Sequence, residues 1–97
     1  MLNSKQIRYL KSLAMNIDSK YQIGKNEVGD NTILLLENAI KKHELIKVSV
    51  NTSVAEEKKE CAATIADKLH CEVVQIIGNT ITLFRKNLKD GKIHLPN

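Results

Sequence analysis

Two glycines, Gly24 and Gly29, bracket the stretch IGKNEVGD, and the residue types in it suit the binding of an anion. Glycine removes the Cβ that holds a ligand away from backbone amides. A loop that feeds the first turn of a helix also offers unpaired N–H groups and the positive end of the helix dipole. Lys25 adds a positive charge, and Asn26 can donate to a phosphate or a base edge while tolerating a left-handed backbone. The stretch is not a nucleotide P-loop, which needs GxxxxGK followed by Ser or Thr, because Gly29 is followed by Asp30 and Asn31. It is not the dinucleotide fingerprint G-x-G-x-x-G either. A backbone phosphate of an extended ligand fits better than a buried cofactor, and RNA is the natural candidate. A strand-to-helix turn also uses glycine for steric reasons alone, and that simpler reading stands beside the chemical one.

Cations surround this loop in sequence. Lys5, Arg8, Lys11 and Lys20 precede it, and Arg85, Lys86, Lys89 and Lys92 make a basic run near the end of the chain. Fifteen Lys and Arg against eleven Asp and Glu give a net charge of +4, a modest excess that suits a polyanionic partner without demanding one. A tail of this kind adds phosphate contacts through counterion release, or is simply a soluble end with a charge bias. The three aromatic residues, Tyr9, Tyr21 and Phe84, supply little material for base stacking, so recognition of backbone and shape is expected.

Other groupings carry less. His43 follows Lys41 and Lys42 and reads as an exposed residue at a helix end. His70 and Cys71 with Cys61 do not have zinc-ligand spacing, and Cys61 falls on the inner face of a helix, so core packing is the expectation there. EEKKE at 56–60 is a solvated helical face. No nucleophile–base pair, carboxylate pair or metal cluster stands out, so the chain reads as a non-enzyme without metal or small-molecule cofactor. No apolar window is long enough for a membrane span and no secretory leader is evident. A cytoplasmic protein with reduced thiols, no membrane partner and a monomeric state is expected.

The elements that must position the loop are well punctuated. Ninety-seven residues with 42% hydrophobic content read as one domain, residues 1–97, with an aliphatic core and a basic tail over 85–97. Ser4 is the expected cap of a first helix with Ile7, Leu10, Leu13, Ala14 and Ile17 on its apolar stripe. Tyr21-Gln22-Ile23 is a short strand, and Asp30 is the expected cap of a second helix that turns Ile33, Leu36, Ala39 and Ile40 inward. LIKVSV alternates as a strand with Ile46, Val48 and Val50 inside. Ser53 with Glu56 reads as a capping box opening a third helix through Cys61, Ala62, Ile65, Ala66 and Leu69. EVVQIIGNTITLF is a hairpin turning at Gly78-Asn79. The order helix, strand, helix, strand, helix, strand, strand implies an α/β fold: a mixed four-stranded sheet with three helices, in which helices cross over to bury its apolar side.

The stretches SKQIRYLKSLA, QIGKNEVGDNTI, HELIKVSV, VVQIIGNTITLF and the ending KIHLP, in this order and at these intervals, resemble the YhbY-like family, the stand-alone bacterial form of the CRM (chloroplast RNA splicing and ribosome maturation) domain. The resemblance spans essentially the whole chain. It implies an RNA-binding domain similar to the carboxyl-terminal domain of a bacterial translation initiation factor. It also implies association with precursors of the large ribosomal subunit and a role in their assembly. In that family the loop after the first strand reads GxxG, similar to the KH-domain loop that clamps a nucleic-acid backbone. Gly24, Lys25 and Asn26 occupy its first three positions, but Glu27 stands where the family has glycine. A carboxylate there repels phosphate and its Cβ restricts the backbone. Either Glu27 faces solvent and Gly29 supplies the freedom, or binding leans on the basic helix and on Arg85 and the tail. KIHLP is expected to return as an extra edge segment. The alternative from a different class is a module that docks on the ribosome through protein contacts, without touching RNA.

Overall fold

The structure, a computed structural model, describes residues 2–19, 21–24, 29–86, 93 and 95–96. Seven elements follow one another as the periodicities predict: α1 (Ser4–Ala14), β1 (Tyr21–Gly24), α2 (Asp30–His43), β2 (Leu45–Asn51), α3 (Ala55–Leu69), β3 (Glu72–Ile77) and β4 (Thr80–Phe84). The strands form a mixed sheet in the order β1-β2-β4-β3, with β1 parallel to β2 and both other pairs antiparallel.

The main core lies on one face. Leu36 and Ile40 of α2 and Ile65 and Leu69 of α3 pack against Ile46, Val48, Val50, Ile81 and Leu83, and the inward sets predicted for α2 and β2 are found there. Cys61 is buried among them, as its helical position predicts. The expectation of a single apolar side needs correction. Leu45, Val74 and Phe84 point to the opposite face and bury Leu10 and Ala14 of α1 there. Plain alternation puts these three residues there, and an irregularity in the β3–β4 register between Val73 and Gln75, which breaks the two-residue alternation, brings Gln75 to the same face as Val74. The sheet is therefore covered by α2 and α3 on one side and, in part, by α1 on the other.

Three caps differ from those expected. The N-cap of α1 is Asn3: its Oδ1 accepts the Gln6 N–H at 2.8 Å, while Gln6 Oε1 accepts the Asn3 N–H at 3.0 Å. Ser4 is already helical. Gly29 caps α2 without a side chain, and Asp30 is the first helical residue, where its charge still favours the dipole. At α3 the cap is Val54. Thr52, rather than Ser53, organises the turn, its hydroxyl accepting the Val54 N–H and donating to Glu57 at 2.9 Å. The hairpin turns at Gly78 with φ +57, the left-handed value that a tight two-residue turn with glycine in first place requires.

The end of the chain returns to the domain, though it joins no strand ladder among the described residues. Ile93 and Leu95 pack beside Leu10 and Phe84, and Gln6 Nε2 donates to the Pro96 carbonyl. Glu44 anchors this return. It is fully buried, with φ +64, and its Oε1 accepts the Ile93 N–H at 3.0 Å. Lys86 Nζ stands 3.8 Å from its other oxygen and donates to the Ile93 carbonyl.

Candidate nucleic-acid interface

The stretch IGKNEVGD begins and ends on described residues. Gly24 closes β1 in register with Asn51 of β2, and two residues earlier Gln22 pairs with Ser49. Because Ile23 and Val50 between them point into the main core, Gln22, Gly24, Ser49 and Asn51 face the side on which α1 packs. Gly29 then starts α2 with φ −103 and ψ −177, an extended backbone that any residue adopts, and a Cβ there would meet nothing within 4 Å. The freedom assigned to Gly29 from sequence is therefore not used in this conformation. Gly29 gives α2 no side-chain cap hydrogen bond, while Asp30 places a carboxylate in the first turn. Lys25, Asn26 and Glu27 lie outside the described residues, as do Lys20, Lys89 and Lys92.

Lys5, Arg8 and Lys11 are all exposed on α1, and no ion pair involving them is found among the described residues. Arg85 behaves differently. Its guanidinium lies 2.5 Å from Glu37 of α2 and donates to the Leu69 carbonyl at the end of α3 at 2.9 Å, so protein groups occupy it.

Sequence reasoning missed the floor between these parts. Since α1 covers only the end of the sheet near Leu45 and Phe84, the remainder of that face is open. Cross-strand register sets Lys47 beside Thr82 and Gln75, and Ser49 beside Thr80. Two shallow clefts lie along it. One, of about 540 Å³, is bounded by Gln22, Gly24, Ser49, Asn51 and Asn79; the other runs from Met15 and Asp18 past Lys47 and Gln75 to Ile77 and Thr80. The signal was present in the polar halves of two alternations, Lys47-Ser49-Asn51 and Thr80-Thr82, which from sequence alone read as an ordinary solvent face. None of the three aromatics stands here: Phe84 packs with α1, Tyr21 against the main core, and Tyr9 lies on α1.

The remaining candidates stay apart from this surface. His70 is exposed at the left-handed cap of α3. Burial pushes the half-buried Cys71 thiol up to about 11, against a partial lowering by the nearby Arg85 charge. Among the described residues no group of His, Cys, Asp and Glu is arranged to hold a metal ion, and no helix is long and apolar enough to cross a membrane.

Comparison with known proteins points the same way as the surface. Residues 2–85 match the family described as CRS1 / YhbY (CRM) domain. The chain is 38% identical over 96 residues to the "Probable RNA-binding protein YqeI" of Bacillus subtilis, covering 99% of this chain and all of that one. It is 34% identical to an "RNA-binding protein" of Haemophilus influenzae, covering 98% of this chain and 95% of the relative. The solution structure of the hypothetical protein SAV1595 from Staphylococcus aureus superimposes with a TM-score of 0.85 at 42% identity, over 99% of this chain and all of that one.

Proposed function

The chain belongs to the CRS1 / YhbY (CRM) domain family, and we propose that it is a cytoplasmic, monomeric RNA-binding protein that assists assembly of the large ribosomal subunit by holding the backbone of precursor ribosomal RNA. The observation that carries this reading is the placement of cations that have no ion pair among the described residues. Lys5, Arg8 and Lys11 are exposed on the helix packed over the same sheet face as Gly24. Cations without acidic partners can exchange counterions for phosphates, which is the largest sequence-independent term in nucleic-acid binding. The uncapped start of α2 supports a further phosphate contact through backbone amides. Lys25 and Asn26 serve that contact, and Lys20 adds its charge to the binding. Arg85 contributes to the fold that presents these groups.

Binding of purified large-subunit ribosomal RNA fragments at two salt concentrations tests the proposal. The wild type is compared with a Lys25→Ala, Asn26→Ala double variant and with a Lys5→Gln, Arg8→Gln, Lys11→Gln triple variant. Each is expected to lose affinity and to show a shallower salt dependence, by about one unit of log–log slope for each phosphate contact removed.

One observation favours docking through protein contacts instead. Leu34 and Leu35 on α2 are 59% and 56% exposed, an apolar pair on a helix otherwise packed on the core. Salt-insensitive association with ribosomal particles, lost in a Leu34→Ser, Leu35→Ser variant, is the result that supports this second reading.

A further inference from the structure

Backbone phosphate contacts leave the open sheet face unexplained. Its second cleft, of about 390 Å³, lies in the size range of small-ligand sites and is built unlike a phosphate groove. It is lined by one cation, Lys47, and one carboxylate, Asp18, among neutral hydrogen-bonding groups: Ser19, Gln75, Thr80 and the buried Thr82. Its two walls are apolar and wet. Met15, just past the end of α1, is 82% exposed, and Ile77, at the end of β3, is 64% exposed. Hydroxyls and a carboxamide both donate and accept, which matches the mixed edge of a nucleobase or a ribose 2′-hydroxyl and not the acceptor-only oxygens of a phosphate.

We propose that this cleft takes one unpaired nucleotide of the bound RNA, its base lodged between Met15 and Ile77 and its polar edge facing Gln75 and Thr80. This rests on the RNA-binding reading and adds a site that reads unpaired nucleotides to the backbone contacts. Three features on this face argue for RNA as the occupant. The cleft shares the β2–β4 floor with the one that opens at Gly24, because Ser49 of the first pairs with Thr80 of the second. A strand leaving the loop after Gly24 can therefore cross the sheet without leaving the protein surface. The cations of α1 lie on the helix that ends at Met15, beside the far end of that path. A thioether and a branched aliphatic chain also provide polarisable, apolar cover for a base face where no aromatic stands. A base inside a duplex cannot enter such a site, so the cleft selects loops, bulges and ends.

The test uses the full chain and two RNAs, a hairpin with an unpaired loop and a blunt duplex of equal length, with a Met15→Ser, Ile77→Ser variant. Both side chains are largely exposed, so the variant keeps its fold, which thermal unfolding verifies. The expected result is about a tenfold or greater loss of affinity for the hairpin, an unchanged salt slope, and wild-type affinity for the duplex. Gln75→Ala should reproduce part of the hairpin loss. Wild-type hairpin binding by the double variant overturns the inference, while a persisting effect of Lys25→Ala, Asn26→Ala leaves the RNA-binding reading intact. An equal loss on duplex and hairpin also overturns it. Failure of the wild type to bind either RNA at low salt overturns both.

Discussion

Arg85 and Glu37 meet at 2.5 Å, so the residue that follows β4 is held to α2, and the same guanidinium closes the last turn of α3 through the Leu69 carbonyl. One side chain thus joins three elements behind the sheet. Its loss leaves the Leu69 carbonyl unpaired and Glu37 without its partner. The Arg85 and Glu37 side chains are partly exposed, but Leu69 and the Glu37 oxygen that meets the guanidinium are buried, so the cost is about 1–3 kcal/mol. Arg85→Ala should lower the midpoint of chemical denaturation accordingly, while RNA affinity measured far below the melting temperature changes less than twofold. A larger loss of affinity with unchanged stability would return Arg85 to the interface.

The helix caps give a sharper contrast. Asn3→Ala removes a reciprocal pair of hydrogen bonds and should cost about 1 kcal/mol, whereas Ser4→Ala should be close to neutral. At α3, Thr52→Ala should destabilise more than Ser53→Ala. Urea denaturation of the four single variants decides both comparisons.

These caps also show what the sequence could and could not reveal. The period of apolar residues located every helix, because a whole face must meet the core and no neighbouring register buries it. The capping signal is degenerate: Asn3 stands next to Ser4 and Thr52 next to Ser53, and either member of each pair has the chemistry, so only backbone geometry selects one. The candidate site divides in the same way. Gly24 and the exposed cations of α1 were legible from composition and spacing. The cleft was not, since Lys47, Ser49 and Thr80 become a floor only because α1 stops short and leaves them partly uncovered.

The two glycines that open the second helix and the hairpin should respond to alanine for different reasons. At Gly78, with φ +57, a Cβ forces a strained backbone, and Gly78→Ala should destabilise by about 1 kcal/mol. At Gly29 the backbone is extended and the space is open, so Gly29→Ala meets no clash and should cost only the poorer capping of alanine, about 0.5–1 kcal/mol. Any loss of RNA affinity in Gly29→Ala then reports close approach of the ligand to the backbone.

Thiol reactivity follows from burial. The Cys71 thiol is pushed up to about 11, from an ordinary value of 9.0, so in the folded protein at pH 8 its thiolate fraction is on the order of one in a thousand. Alkylation by iodoacetamide at pH 8 should be slow for the native protein and fast after denaturation. The sign for stability is set by proton binding. Between pH 9 and about 11 the unfolded chain has released the Cys71 proton that the folded chain retains, so stability falls as pH rises through that window. A Cys71→Ala variant should show a flatter decline there, measured by denaturation at pH 8, 9.5 and 10.5.

Glu44 sets the last expectation. A fully buried carboxylate on a residue with φ +64 persists only where surrounding groups hold it, and here it receives the Ile93 amide and faces the Lys86 ammonium. Glu44→Ala keeps the backbone strain and removes the acceptor, so it should destabilise by about 2–4 kcal/mol. Glu44→Gly relieves the strain without restoring the acceptor and should recover about 1 kcal/mol of that loss. Both variants should also release the returning segment locally, because the Ile93 N–H loses its partner in each. Amide hydrogen exchange at Ile93 should therefore accelerate in both to a similar degree, even though their global stabilities differ. If exchange at Ile93 instead tracks global stability, the segment is held by its apolar packing beside Leu10 and Phe84, and the carboxylate is not its anchor.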